Sequence, residues 1–170
     1  MIYGLIAGLA MVLLTTILYL SGVNTYLGKF AYLGYLILLA MAIAAPMAEK
    51  KADGGYLDFR EALKAAFTVF VIALAMQTLF SWILMNYIDP GFRQAVEQAI
   101  MDKTEKFLQS MGMSQDKIDD VQAREKGVNQ FALSRTMMGL AVSYVVFFLI
   151  ALIIAAIVKK KRPEFNETSI

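Results

Sequence analysis

The side chains in this sequence with the means to do chemistry fall into three groups. Glu49, Asp53, Asp58 and Glu61 lie in one short stretch, and Asp116, Asp119 and Asp120 in another. Gln77, Thr78, Ser81 and Asn86 punctuate an otherwise apolar run. Clustered carboxylates offer general acid–base catalysis or divalent-metal coordination. The first cluster, however, is matched by Lys50, Lys51, Arg60 and Lys64, the ordinary charge pattern of a membrane interface. The second lacks the alternating acids around a Gly turn that a calcium loop needs. No second acidic motif accompanies Asp116-x-x-Asp119, as metal-dependent lipid phosphotransfer would require, so this group reads as a solvated helix face. The chain has no His and no Cys, which removes the commonest zinc and iron ligands, thiol nucleophiles and imidazole acid–base chemistry. The expectation is a protein that is not an enzyme, with no catalytic residue, metal or cofactor. A net charge of +2 with scattered basic residues also argues against nucleic acid as a partner.

The polar group needs scaffolding, and composition says what kind. The chain is 170 residues long, about one domain, and 59% hydrophobic with mean hydropathy +0.59. That exceeds the roughly 45–50% apolar content of soluble proteins. All 16 basic and 14 acidic residues lie outside four uncharged runs, residues 1–28, 30–48, 65–88 and 136–158. A hydrocarbon core of about 30 Å, at about 1.5 Å per residue, asks for roughly 20 apolar residues, so each run is long enough or nearly so. We expect spans near 2–20, 30–48, 62–87 and 136–158: an all-α integral membrane bundle of four transmembrane helices. The first run lacks a basic n-region and a small-x-small cleavage site, and is read as an uncleaved span. Asp58 and Glu61 form a capping pattern after the Gly54-Gly55 turn, with Leu57 as a staple. Asp89 and Pro90 close the third span and start the next helix. Pro46 either kinks the second span or sits in its last turn.

Between the third and fourth spans, residues 89–135 read as an amphipathic helical hairpin. Phe92, Val96, Ile100, Phe107 and Met111 recur on one helical face. Gly112 ends that helix, Ser114 caps a second, and Gly127 marks the return to the membrane. Arg93 with Glu97, and Asp102 with Lys106, are spaced for weak ion pairs. The apolar face either covers the end of the bundle as a lid or faces a partner protein, and the lid is favoured.

Inside the spans, small residues recur at four-residue spacing: Gly4 and Gly8, Ala40 and Ala44, Ala151 and Ala155. Such spacing lets helices approach closely, within one bundle ahead of between copies, though a homo-oligomer stays open. Gln77, Thr78, Ser81 and Asn86 either line a polar path or hydrogen-bond neighbouring helices. The absence of an intramembrane acid or base favours the second.

Two sequence stretches carry a family likeness: Tyr3-Gly4-Leu5-Ile6-Ala7-Gly8 at the start, and Gly55-Tyr56-Leu57-Asp58-Phe59-Arg60-Glu61-Ala62 before the third span. Tyr87-Ile88-Asp89-Pro90, Met111-Gly112-Met113-Ser114 and Ile118-Asp119 add shorter echoes. In these the chain resembles, over nearly its full length, a bacterial membrane family known as domain of unknown function 4199 (DUF4199). The resemblance implies a small inner-membrane protein with four spans and supplies no functional residues. An association of such proteins with a membrane glycosyltransferase would imply an accessory subunit. The expected function is a nonenzymatic accessory or scaffold subunit of an inner-membrane complex, its partners the lipid bilayer and another membrane protein. The alternative is a small transporter or flippase for a lipid-linked or amphipathic substrate.

Orientation follows from charge position. Raw counts of Lys and Arg tie between the two sides, but Lys50, Lys51, Lys64 and the run Lys159 to Arg162 abut helix ends, where positive charge resists translocation. Both termini are therefore expected in the cytoplasm and residues 89–135 outside it. In this cysteine-free chain, single cysteines at Ser110 and Ser169 should react oppositely with a membrane-impermeant thiol reagent in intact cells, Ser110 labelled and Ser169 protected. Labelling at Ser169 alone would invert the topology, and labelling at both would break the count of four spans.

Overall fold

The structure is a computed structural model that describes residues 1–125 and 128–161. Gly127, Arg162 and Ser169, three positions used above, lie outside the described residues. Seven α-helices follow one another among those described: α1 (Ile2–Leu20), α2 (Val23–Tyr26), α3 (Tyr32–Ala52), α4 (Phe59–Ile83), α5 (Pro90–Ser110), α6 (Gln115–Glu125) and α7 (Leu133–Val158). A 3₁₀ turn, Lys29–Ala31, leads into α3, and a π-helical turn, Leu84–Ile88, extends α4. Four stretches are long and apolar enough to cross a membrane: Ile2–Leu20, Lys29–Ala52, Phe59–Ile88 and Leu133–Val158. The protein is an all-α membrane bundle of four spans, with a helical hairpin between the third and fourth. Three helices outrun their expected ends: α3 continues to Ala52, α4 begins at Phe59, and α7 begins at Leu133. The first charged residue marks the edge of the hydrocarbon, whereas a helix keeps its hydrogen bonds into the headgroup region and needs no apolar side chain there.

The fourth helix organises the others. It packs against α1, α3 and α7, while α3 also touches α1 and α7. Its inner faces are dominated by small side chains, Ala62, Ala65, Ala66 and Ala73, with Val69, Phe70 and Leu74 filling the spaces between. In lipid, where tails are as apolar as any core, such residues promote association because backbones come close enough for dense van der Waals contact. Gly4 and Gly8 make the same bargain from α1: an added Cβ would stand 3.0 Å from Ile72 Cβ at the first, and 2.7 Å from Met76 Sδ at the second. Those contacts also set the register, since α1 runs parallel to α4 and starts about three turns above its first residue.

On α7 the buried stripe is Phe147, Ala151, Ile154, Ala155 and Val158, so Ala151 and Ala155 face inward. One expectation needs correction on α3. Ala40 is exposed and Ala44 only partly covered, because the inward stripe is Gly34, Leu38, Ala42 and Ala45. Small-residue spacing alone does not fix a helix's rotation; the bulky Leu38 has to go where α4 offers Ala. Pro46 lies inside α3 and is buried, with helix continuing beyond it to Ala52. Outward-facing Leu9, Leu13, Leu36, Leu149, Ile153 and Ile157 form the lipid-exposed coat.

At the end of the bundle that holds the start of α4 and the end of α7, the backbone closes on itself. Leu57 and Lys160 exchange N–H···O bonds of 2.9 Å each as an antiparallel bridge, and Lys50 Nζ donates to the Val158 carbonyl at 2.7 Å. The latter satisfies an acceptor left over at a helix C-terminus with the favoured sign of charge. Asp58 and Glu61 form the expected capping box, and Leu57 is buried beneath it.

Overfilling the α1–α4 contact should be costly. Gly8→Leu is expected to destabilise the bundle by about 1–3 kcal/mol. Gly139→Ala, at a position with nothing within 4 Å of the added atom, should be silent. Thermal unfolding of the two variants in detergent micelles, side by side with the parent, checks this.

Candidate functional site

Two polar assemblies stand in the half of the bundle nearest α5. The deeper is built on Gln77, which the α1–α4 register places about level with the middle of α1. Its Nε2 donates to Thr15 Oγ1 at 2.6 Å and to Ser81 Oγ at 3.2 Å. Its Oε1 is buried and has no hydrogen-bond partner among the described residues. Thr15 is itself buried, and Thr16 donates instead to the Val12 carbonyl on its own helix at 2.9 Å. The Tyr26 hydroxyl, on α2, stands within reach of Ser81 for a hydrogen bond. Burial pushes the Tyr26 phenol above its ordinary pKa, and that hydrogen bond pulls the other way. Between α1, α3, α4 and α7 these groups enclose a pocket of about 320 Å³, whose wall includes Gln77, Thr78, Thr15, Tyr26 and Ser143. Its remaining lining is apolar apart from Tyr35, and none of the lining residues is a carboxylate or a cation.

The second assembly is centred on Asn86, in the π-helical turn. Asn86 Nδ2 donates to the Trp82 carbonyl at 2.9 Å and to the Phe131 carbonyl at 3.0 Å. Its Oδ1 accepts from Arg93 at 3.3 Å and from Asn129 at 3.2 Å. Every hydrogen-bonding position of this amide is thereby engaged. The π-helical turn makes the arrangement possible: Asp89 N–H reaches back to the Leu84 carbonyl at 2.9 Å, a five-residue step that widens the helix there. Of the four residues read as a possible polar lining, then, Gln77 and Thr78 line the pocket and Ser81 bonds to its edge. Asn86 instead ties the chain returning from the hairpin to the end of α4.

Asp89 fixes where the hairpin leaves the bundle. One carboxylate oxygen accepts the Phe92 N–H at 2.8 Å as the cap of α5, with Pro90 in the first turn, and the other accepts the Tyr19 hydroxyl at 2.9 Å. The Phe92 ring then stands edge-on to Tyr19 at 4.7 Å and to Tyr26 at 5.4 Å between centroids. Val96 is completely buried, and Lys103 Nζ donates to the Leu27 carbonyl at 2.7 Å. The expected partner-facing stripe is thus divided. Phe92 and Val96 turn inward and cover the bundle's end, and Ile100 packs beside α6, where it lines a depression with Ile118. Phe107 and Met111 stay largely exposed, at 62% and 65%. The helix that anchors α5 at its base is too short to cover its far end, because α2 is a single turn.

The hairpin closes through α6, whose Ile118 is fully buried and whose Gln122 donates to Glu105 Oε2 at 2.8 Å. Gly112, at φ +76°, makes the sharp turn between the two helices. The expected four-residue ion pairs give way to other partners. Arg93 donates to Asn86, Glu97 accepts the Gln130 N–H at 2.8 Å, and Asp102 accepts from Gln98 at 2.8 Å. The acidic residues of the opposite end, Asp53, Asp58 and Glu61, border a surface depression with Lys160 and Lys161. Among the described residues no three His, Cys, Asp or Glu side chains gather closely enough to hold a metal ion.

The match to one family model, described as "Protein of unknown function (DUF4199)", runs over residues 2–160. The chain belongs to that family. The family's description names no activity. No curated protein and no solved structure matches the chain.

The contacts sequence reasoning missed are those made by Tyr19 and Tyr26, whose hydroxyls look in the sequence like ordinary interfacial tyrosines. The available signal was Asp89, whose charge beside a span demanded a donor. Two donors, first the Phe92 N–H and then the Tyr19 hydroxyl, hold the Asp89 carboxyl below its usual pKa. A carboxylate with a depressed folded-state pKa stabilises the fold at neutral pH, and that contribution is lost as pH falls through the folded value. Asp89→Asn keeps a capping acceptor but loses the charge. It should melt below the parent at neutral pH, with the difference shrinking as pH drops beneath the ordinary carboxylate range. A difference constant across that range would exclude a role for the charge.

Proposed function

We propose that the protein is a nonenzymatic accessory or scaffold subunit of a bacterial inner-membrane complex, with both termini in the cytoplasm and the α5–α6 hairpin presented to a membrane-protein partner on the opposite side. The observation that carries the reading is the division of α5. Its base is held by Asp89, Phe92, Val96 and Lys103 against the bundle, while Phe107 and Met111, four residues apart on one face, are exposed on an element outside the four spans. Large apolar side chains paired on one face of a rigid extramembrane helix fit the anchor residues of a protein–protein contact. A basic collar at the other end, Lys50, Lys51, Lys64 and Lys159 to Lys161, supports the orientation.

A second reading, a small transporter or flippase for an amphipathic substrate, draws on the pocket around Gln77. Below that pocket, however, Leu38, Ala42, Val69, Phe70 and Ala73 are between 0% and 1% exposed, a dense apolar core. A pocket closed on one side suits holding a ligand more than passing one across.

Gentle solubilisation and mass spectrometry should recover a stoichiometric membrane partner. Phe107→Ser with Met111→Ser should cost at least about tenfold in recovery, as expected when an anchor contact worth roughly 1.4 kcal/mol or more is removed. The bundle's melting temperature should not change. A monodisperse protein found alone under several mild conditions, or equal recovery by the double variant, would overturn the reading.

A further inference from the structure

The pocket between α1, α3, α4 and α7 is not explained by a docking role. At its wall stands an amide that the fold leaves half used. Gln77 Nε2 is satisfied by Thr15 and Ser81, both of them hydroxyls that can give or take a hydrogen bond, and Oε1 is buried with no partner among the described residues. Exchanging the two ends of the amide moves the deficit from acceptor to donor and does not remove it. In a membrane interior an unmet polar group of this kind is expensive, so a ligand able to meet it would bind with a real advantage.

The remaining walls define that ligand. No carboxylate or cation lines the pocket, so an ionic headgroup would find no counter-charge in a low-dielectric setting. Polar contacts are confined to hydroxyls and one amide, with Thr78, Ser143 and Tyr26 beside Gln77, and the rest of the lining, Met11, Leu14 and Leu18 among it, is apolar apart from Tyr35. The volume of about 320 Å³ corresponds to about ten water molecules at their liquid volume, enough for a small polar head and the first methylenes of a chain. The pocket lies in the half of the bundle nearest α5 and is partly open. Tyr35 at its edge is half exposed and stacks on Phe147 at 6.3 Å and 14°, so the rim meets the lipid-facing surface between α3 and α7.

We infer that this pocket binds the uncharged, hydroxyl-bearing end of a membrane lipid, with Gln77 hydrogen-bonded to the hydroxyl and the acyl chain leaving past Tyr35. A hydroxyl both donates and accepts, so it completes the Gln77 amide in either orientation. The inference is independent of the docking role, since it uses no residue of α5 or α6.

The test uses the full-length protein in lipid nanodiscs and a monoacylglycerol carrying a diazirine near its ester. Photolabelling should saturate and map to peptides containing Leu14, Leu18, Tyr35 or Ser143. Excess unlabelled monoacylglycerol should compete, and a fatty acid methyl ester of equal chain length, which lacks the hydroxyl, should not. Gln77→Leu should reduce labelling about fivefold, the loss expected of one hydrogen bond. Gly34→Leu leaves Gln77 untouched and fills the space beside Leu14 and Met11, which lie 3.7 and 3.9 Å from an added Cβ; it should abolish labelling. Both variants are compared at matched monodispersity and melting temperature. If either fails that match, competition by the two lipids on the unaltered protein decides alone. Equal competition by the methyl ester, labelling spread over the outer faces of the helices, or no saturable labelling, as when water alone fills the pocket, would overturn the inference.

Discussion

The close approach of three helices to α4 is the interaction on which the rest of the structure depends. Lipid offers no hydrophobic gain for burying one apolar helix against another, so packing must come from contact density, and contact density from small side chains. Ala62, Ala65, Ala66 and Ala73 on α4, Gly4 and Gly8 on α1, and Ala151 and Ala155 on α7 supply it. Where α4 carries something larger, as at Phe70, the neighbouring helix answers with an aromatic ring, Phe147 at 4.9 Å. Separation of these helices would release both polar assemblies at once, because Gln77 is bonded to α1 and Asn86 to the chain entering α7.

The two ends of the bundle solve the problem of unfinished helices differently. At one end a backbone bridge and a lysine close the termini of α3, α4 and α7, giving a rim that is charged and short. At the other, Asp89 and Asn86 turn α4 into α5 and fasten its return, so the chain leaves the membrane in a fixed direction. The pocket sits just beneath this second junction. Tyr26 belongs to both, since it reaches Ser81 at the pocket's edge and stands edge-on to Phe92 at the base of α5. The pocket and the base of α5 are therefore joined by one aromatic contact.

Much of this was legible in the sequence, for identifiable reasons. Uncharged runs of membrane length located four spans, because charge is the one property hydrocarbon does not tolerate. The caps at Asp58 and Asp89 were legible because capping is local, decided within four residues. What could not be read depended on contacts between distant segments. The Leu57–Lys160 bridge joins residues more than a hundred positions apart, and nothing in either neighbourhood suggests a strand. Ala40 failed because four-residue spacing marks two candidate faces on a helix as apolar as α3, and only the shape of α4 chooses. The stripe on α5 was real, but its division into a buried base and a free end follows from the length of α2, which periodicity in α5 does not encode.

The central claim is that the bundle holds the hairpin rigidly and in one direction. Spin labels at Asn24 on α2 and Ser110 at the end of α5, introduced as the only cysteines of the chain, would report this by double electron–electron resonance in lipid nanodiscs. A single narrow distance distribution, unchanged between nanodiscs of different lipid composition, is the predicted result. A broad or two-peaked distribution would mean that Asp89, Phe92 and Asn86 do not fix the arm, and would contradict the account.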